Sequence, residues 1–158
     1  MNEAEVSVSI DVQCSPDRVW EAIADVSRLA TWSPETTGVT TSAGPPLVVG
    51  DTFRGSNRNG PFWWRTSCKV IESKANETFG FDVTFFGMAV SRWRFTVEPL
   101  EGGARVTEQW SDRRGLPMNV MAPLGTGVLH RAPHNERTMR ATLDNLKADL
   151  ENAERPAG

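Results

Sequence analysis

Residues 78–98, TFGFDVTFFGMAVSRWRFTVE, form two alternating segments on either side of Phe86-Gly87. Each segment places an apolar residue at every second position, with residues of other types between them. This period of two is typical of β-strands that bury one face. The stretch therefore predicts a hairpin with an aromatic-rich inner face, which carries Phe79, Phe81, Val83, Phe85, Trp93, Phe95 and Val97.

The same alternation continues on both sides of this hairpin. Residues 51–57, 62–72 and 104–111 predict three more strands, and an Asn-Gly pair predicts a tight turn between the first two. Residues 36–42 predict an edge strand, and residues 6–12 predict a half-buried strand at the start of the chain. Strands joined by short turns pair antiparallel. The inner faces of the three added strands carry Phe53, Gly55, Asn57, Trp64, Thr66, Cys68, Val106, Glu108 and Trp110.

Helices are predicted before and after the sheet. Ser15-Pro16-Asp17 provides a capping residue, a proline and an acid in the order that begins a helix, and a second short turn is predicted at 28–32. Residues 117–154 predict one long amphipathic helix or a broken pair, because Gly125-Thr126-Gly127 can interrupt it and Pro133 can bend it. Its apolar stripe carries Val128, Ala132, Asn135, Met139, Leu143, Leu146 and Leu150, and Arg131, Arg137, Arg140, Lys147 and Glu151 are expected to face away.

A curved sheet followed by one long helix has an economical packing, with the helix in the concave face. Bulky rings beneath one helix are difficult to pack without a gap, so we expect a hollow, although alternating aromatic residues also occur in solid cores. Access is expected near 33–46, 86–88 and 113–127, where glycine and proline are frequent. The length of 158 residues fits one domain over 1–158.

Composition excludes several classes of function. The chain has 17 basic and 20 acidic residues, so we expect no nucleic-acid partner. It has no apolar stretch long enough to cross a bilayer and no secretory signal, which predicts a cytoplasmic protein without stable membrane insertion. Cys14 and Cys68 belong to no CxxC motif and are expected to be reduced thiols, with a disulfide left open. The protein is expected to be a monomer or a homodimer without a cofactor.

Four segments resemble the SRPBCC or START-like helix-grip superfamily. The most specific is VSVSIDVQCSPDRVWEAIADVSRLATWSP at 6–34, a strand followed by an S-P-x-x-V-W helix and a W-S-P stop; the others are GDTFRGSNRNGPFWWRTSCKVIE at 50–72, WRFTVEP at 93–99 and NERTMRATLDNLKADLE at 135–151. The chain is most similar to the polyketide cyclase/dehydrase (lipid transport) branch. The resemblance implies an α+β helix-grip fold, with a curved antiparallel sheet of about seven strands (β-α-α-β6-α) around a long C-terminal helix. One fold hosts many activities, so the resemblance does not specify the function.

Glu108 is the main candidate for chemistry. Strand alternation directs it inward, and a carboxylate in an apolar hollow has a raised pKa unless it is paired. It can serve as a general acid or base or hold a polar group of a ligand, or it can simply bond an arginine, the backbone or a buried water. The other residues predicted to line a ligand site are Phe53, Asn57, Trp64, Thr66, Cys68, Phe81, Phe85, Trp93, Trp110, Asn135 and Met139.

The remaining polar candidates are weaker. Asn57, Thr66 and Cys68 either orient a ligand or bond one another, and no motif places a histidine near Cys68 to make it a nucleophile. His130 and His134 are four residues apart but complete no metal motif, so we interpret them as a surface pair and predict no metal site. Arg65 is expected to face solvent and stack on Trp63, unless a bulge turns it inward; Arg92, Arg94, Arg113 and Arg114 are interpreted as solvated.

Three functional hypotheses follow from these patterns. The first is a non-enzymatic protein that binds a hydrophobic or amphipathic small molecule, such as a lipid, a polyketide or an isoprenoid, between sheet and helix. The second is a polyketide aromatase/cyclase or dehydrase with Glu108 as the acid or base, assisted by Asn57. The third is an interaction module without a ligand.

Overall fold

The computed structural model describes residues 5–154, and its sheet within that range has seven strands. The strands lie in the order β1-β7-β6-β5-β4-β3-β2, and each pairs antiparallel with its neighbours. The prediction of a seven-stranded antiparallel sheet is therefore confirmed. The strands are β1 (Glu5–Val12), β2 (Thr36–Thr40), β3 (Thr52–Asn59), β4 (Phe62–Lys74), β5 (Thr78–Phe85), β6 (Met88–Leu100) and β7 (Gly103–Asp112).

Helices occupy both the link between the edge strands and the end of the chain. Helix α1 (Pro16–Ala24) is followed by a 3₁₀ turn (Val26–Arg28) and by α2 (Leu29–Trp32), as the sequence predicts. Ser15 stands at the N-cap of α1, but its side chain makes no capping hydrogen bond. The segment predicted as one helix or a broken pair is a broken pair, α3 (Leu116–Thr126) and α4 (Arg131–Glu154).

The break between α3 and α4 depends on Gly127. This residue has a φ of +70°, and its N–H donates to the carbonyl of Pro123 at 2.9 Å. A β-carbon there would lie 2.6 Å from the ring of Phe62, so both the backbone conformation and the close approach require glycine. Pro133 falls in the first turn of α4, where a missing N–H is tolerated, and the helix continues through it.

The sheet is curved, and β-bulges contribute to the curvature. The β4–β5 register shifts between Val70 and Glu72, and the β5–β6 register shifts between Val83 and Thr84. The concave face holds α4, whose C-terminal half buries Leu143, Leu146 and Leu150 in the main hydrophobic core.

Side chains of α4 also tie it to α2. The indole Nε1 of Trp32 and the guanidinium of Arg28 each donate to a carboxylate oxygen of Asp149 at 2.9 Å. The hydrogen bond from Trp32, with the charge of Arg28 nearby, lowers the pKa of Asp149. The side chain of Asn145 donates to the carbonyl of Trp32 at 2.8 Å. The helix is thus held over the sheet on the β2 side by polar side chains.

Candidate functional site

A cavity of about 350 Å³ lies between the inner face of the sheet and the helices α3 and α4. It forms beside the N-terminal half of α4, because this half presents Asn135, Thr138 and Thr142 where the C-terminal half presents leucines. Its volume is within the range of about 300–1,000 Å³ that is typical of small-molecule sites. The hollow that the sequence predicts is therefore present.

All twelve residues predicted from the sequence as ligand-binding line this one cavity, although their contact with a ligand stays a prediction. They are Phe53, Asn57, Trp64, Thr66, Cys68, Phe81, Phe85, Trp93, Glu108, Trp110, Asn135 and Met139. Ten of these residues, from Phe53 in β3 to Trp110 in β7, are on strands, and strand alternation brings them onto the inner face of the sheet. Helical spacing brings Asn135 and Met139 above them.

The aromatic walls are packed against one another. The rings of Phe53 and Phe81 meet edge to face with centroids 5.1 Å apart, which is a favourable arrangement. The indole of Trp93 donates to the hydroxyl of Ser91 at 3.1 Å. The polar edge of this ring is therefore already satisfied, and its apolar surface remains available to the cavity.

Glu108 is a buried carboxyl group at the edge of the cavity. Its side chain is on the inner face of β7 between Val106 and Trp110, the whole residue is only 3% exposed, and it borders the cavity. Among the described residues, none forms a hydrogen bond with its Oε2 atom. Burial raises the pKa of Glu108 to about 8, so the carboxyl is mostly protonated at neutral pH. Within residues 5–154, no arginine or backbone group is recorded in a hydrogen bond or an ion pair with Glu108, and its protonated carboxyl is a neutral hydrogen-bond donor at the cavity.

The polar groups on β3 and β4 bond one another, which is one of the two alternatives left open by the sequence. Asn57 donates to the hydroxyl of Thr66 at 3.4 Å and accepts from the hydroxyl of Thr36 at 3.2 Å. Cys68 is buried, and desolvation raises its pKa to about 12, so it is a thiol rather than a thiolate. This agrees with the expectation that Cys68 is not a nucleophile. Both Cys14 and Cys68 are free.

Arg131 and Glu35 form a second polar group at the cavity, and neither was predicted to line it. The guanidinium Nη1 of Arg131 lies 2.7 Å from Oε1 of Glu35 and 3.5 Å from Oδ1 of Asn135. The guanidinium also lies 5.5 Å from the ring centroid of Trp64. The prediction that Arg131 faces away is wrong, because Arg131 is four residues before Asn135 and therefore on the same helix face.

His134 and Arg114 are both more buried than predicted from the sequence. The side chain of His134 is only 18% exposed, and its Nε2 is buried 3.8 Å from Oε1 of Glu35 without a hydrogen bond to any residue in the range 5–154. Burial lowers its pKa, the charges of Arg131 and Arg137 act in the same direction, and Glu35 opposes them. His130 is exposed, and the residues 5–154 contain no group of three or more side chains suited to a metal ion.

Arg114 is also less solvated than predicted. Its side chain borders the cavity, is 14% exposed and forms an ion pair with Asp112 at 2.5 Å. Arg65, in contrast, faces outward as expected, 6.0 Å from the ring of Trp63. The β3–β4 register runs without a shift from Asn59–Phe62 to Thr52–Lys69, so no bulge turns Arg65 toward the cavity.

A curved seven-stranded sheet that holds a long helix above an internal cavity defines the helix-grip class of α+β proteins. Within this class, the chain belongs to the family described as polyketide cyclase / dehydrase and lipid transport, whose sequence model matches residues 3–151. This confirms the resemblance inferred from the sequence. The family supports a role in binding a hydrophobic ligand or in cyclisation, and it does not decide between the two.

Solved structures share the fold. The Polyketide_cyc-like protein Cgl2372 from Corynebacterium glutamicum is 24% identical, with a TM-score of 0.63 over 95% of this chain and 93% of that chain. The di-domain ARO/CYC protein StfQ from the steffimycin biosynthetic pathway is 9% identical, with a TM-score of 0.73 over 96% of this chain. The di-domain ARO/CYC protein BexL from the BE-7585A biosynthetic pathway is 16% identical, with a TM-score of 0.71 over 98% of this chain.

This chain spans about half of the two di-domain proteins, 52% of StfQ and 51% of BexL. At these identities the likeness concerns the fold alone. No curated protein matches the sequence. None of the helices within residues 5–154 is both long enough and apolar enough to cross a bilayer.

Proposed function

We propose that this protein binds a hydrophobic or amphipathic small molecule, such as a lipid, a polyketide or an isoprenoid-like compound, in the cavity between the sheet and α4. The observation that carries the proposal is the cavity itself, about 350 Å³ of space with a mainly apolar lining. Isolated polar groups in such a pocket orient a ligand, and Glu108 and the Arg131–Glu35 pair are in suitable positions. A cavity of this size argues against a ligand-free interaction module.

Filling the cavity tests this proposal directly. Val83 borders the cavity on β5, whereas Ser67 is exposed on the outer face of the adjacent β4. Because a tryptophan at position 83 occupies the space of a ligand, we expect Val83→Trp to weaken the binding of anilinonaphthalene sulfonate by at least about tenfold. Ser67→Trp adds the same ring to solvent and should leave the affinity unchanged.

The measurement is a fluorescence titration of each variant, after circular dichroism has shown that it is folded. Native mass spectrometry of freshly purified wild-type protein should in addition detect a co-purified apolar compound. Equal dye affinities for wild type, Val83→Trp and Ser67→Trp would place the dye outside the cavity. If no apolar compound binds the wild-type protein at all, the proposal fails.

A second candidate function is favoured by the state of Glu108. A protonated carboxyl group at the cavity can donate its proton to a carbonyl or hydroxyl oxygen of a bound polyketide-like chain, as a cyclase or dehydrase requires. We expect Glu108→Gln to slow the cyclisation of a synthetic poly-β-keto thioester by about 100-fold or more, because glutamine cannot transfer a proton. The control is Glu98→Gln, since Glu98 is exposed on β6. Equal rates for the two variants would remove Glu108 from the mechanism.

A further inference from the structure

One end of the sheet exposes large apolar side chains from three separate segments. The β3–β4 turn, the β5–β6 turn and the end of β7 lie at this end, because the strands are antiparallel and adjacent. Helix α3 begins just after β7, and at its C-terminus Asn59 donates to the carbonyl of Thr126 at 2.9 Å. The helix therefore crosses the ends of β6, β5 and β4. Its 11 residues span about 16 Å, which matches about 14 Å for three strand spacings.

We call this region the α3 end. It consists of residues 57–65 around the β3–β4 turn, residues 84–90 around the β5–β6 turn, and residues 112–131 from the end of β7 to the start of α4. Six of its apolar side chains are each between 67% and 87% exposed: Trp63, Phe86, Leu116, Val120, Leu124 and Leu129. Large apolar side chains concentrated in one region mark an interaction surface, whereas single ones are normal.

Helix α3 is apolar on both sides. Met118 and Ala122 line the cavity on its inner side, whereas Leu116, Val120 and Leu124 follow one another at intervals of four on its outer side. No charged residue occurs between Gly115 and Leu129. A helix of this composition is usually covered on all sides, and in the described residues the outer stripe remains exposed.

The charges around this end are mainly positive, although the whole chain has a net charge of −3. Residues 57–65, 84–90 and 112–131 contain five arginines and one aspartate. Three of these arginines are paired: Arg114 with Asp112, Arg131 with Glu35 and Arg113 with Asp82. The other two, Arg58 and Arg65, are exposed and form no ion pair within residues 5–154.

We propose that the α3 end docks reversibly onto lipid bilayers that contain anionic lipids. The outer stripe of α3 and Phe86 would enter the interfacial region, and Arg58 and Arg65 would meet the headgroups. Trp63 beside Arg65 fits the same depth, where tryptophan is enriched. An uncharged apolar stripe flanked by exposed arginines matches the layers of an anionic bilayer, in which an apolar interior lies beneath negatively charged headgroups.

Docking in this orientation would place the cavity next to the bilayer. Met121 borders the cavity and is 47% exposed, so the cavity reaches the surface at α3. The bilayer would therefore face this opening. The docking proposal does not depend on the proposed function, because vesicle binding is measured without any ligand of the cavity.

The test is co-sedimentation of the full chain with vesicles of phosphatidylcholine, with and without phosphatidylglycerol. We expect binding to the anionic vesicles, reduced by salt, and at least about tenfold weaker partitioning of the double variant Val120→Asp/Leu124→Asp. The matched control is Val48→Asp/Val49→Asp. These two valines are also exposed, but they precede β3 and lie at the opposite end of the sheet.

A second measurement locates the contact. Both native cysteines are buried, so an environment-sensitive fluorophore can be attached selectively to Leu124→Cys or, as a control, to Val49→Cys. We expect a blue shift with anionic vesicles at position 124 and none at position 49. The proposal is wrong if wild type fails to bind the anionic vesicles or if Val120→Asp/Leu124→Asp binds as wild type does. It is also wrong if size-exclusion chromatography shows a dimer that this variant dissociates, since a second copy then covers the patch.

Discussion

Glu108 is a carboxyl group on the inner face of β7, buried at the edge of the cavity. Alternation along β7 places it between Val106 and Trp110, and this is sufficient to predict an inward carboxyl group with a raised pKa. The absence of a partner for Oε2 within residues 5–154 was not predictable, because any neighbour would come from a distant part of the chain. The structure shows apolar residues opposite it on both adjacent strands, Val8 and Phe95.

The state of Glu108 leads to a prediction about stability and pH. Its pKa is about 8 in the folded protein and near 4.5 in the unfolded chain, so the folded protein retains a proton that the unfolded chain releases. The free energy of unfolding should therefore fall as the pH rises from about 4.5 to about 8, by a total on the order of 3–5 kcal/mol. Glu108→Gln lacks this proton, so its stability relative to wild type should increase across the same window.

Urea denaturation at pH 5 and at pH 8 measures this difference. Glu98→Gln is the control, and it should change with pH as wild type does because Glu98 is exposed. Parallel pH profiles for Glu108→Gln and wild type would mean that the carboxyl is ionised or paired in the folded protein.

Arg131 lies on the cavity side of α4, opposite to the side predicted from the sequence. The apolar stripe of α4 runs through Ala132 and Asn135, and a charged residue at position 131 is therefore expected on the solvent-facing side. Its partner Glu35 is 96 residues away in the sequence, and the Trp64 ring is on another strand. The spacing of four residues between Arg131 and Asn135 indicates that both face the cavity, but only if α4 already includes residue 131.

At the scale of elements, most strands were predictable because inward and outward residues alternate along them. The exception is β2, which has Val39 as its one large apolar residue and was predicted only as a weak edge strand. The division between α3 and α4 was not, because glycine in a helical segment either continues the helix or ends it. Gly127 ends α3 owing to its positive φ and its contact with Phe62, and that contact exists only in the folded protein.

Replacing Gly127 tests this explanation. We expect Gly127→Ala to lower the free energy of unfolding by about 1–3 kcal/mol, since alanine is disfavoured at a φ of +70° and its β-carbon meets the Phe62 ring. Gly125→Ala is the matched control two residues earlier, with open space around the added carbon. It should be neutral or stabilising by up to about 1 kcal/mol. Equal urea midpoints for the two variants would contradict this explanation of the helix break.

For the whole molecule, the fold and the position of the cavity were predictable from two periodicities. A period of two defined the inner face of the sheet, and the helical period placed α4 over it. The extent of the cavity was not predictable, because it depends on how closely each half of α4 approaches the sheet. Leu143, Leu146 and Leu150 fill the concave face, whereas Asn135, Thr138 and Thr142 leave it open.

The surface of the α3 end also belongs to this scale. In the sequence, the apolar and basic residues of this surface are distributed over three separate segments, 57–65, 84–90 and 112–131. Only the antiparallel order of the strands brings Trp63, Phe86 and α3 to one end. An overall negative charge therefore excludes a general attraction to anionic surfaces without excluding a local one.

The segment that contains α2 and β2 is joined to α4 by hydrogen bonds of side chains. Side-chain hydrogen bonds join the two sides, from Arg28 and Trp32 to Asp149, from Asn145 to Trp32, and from Arg131 to Glu35. In the part of the chain that is described, no hydrogen bond between two backbone groups crosses this line. Separating α4 from α2 and β2 would therefore break only side-chain contacts, including the packing of the buried Trp32 ring in the core, and every strand pairing and helix would keep its backbone hydrogen bonds.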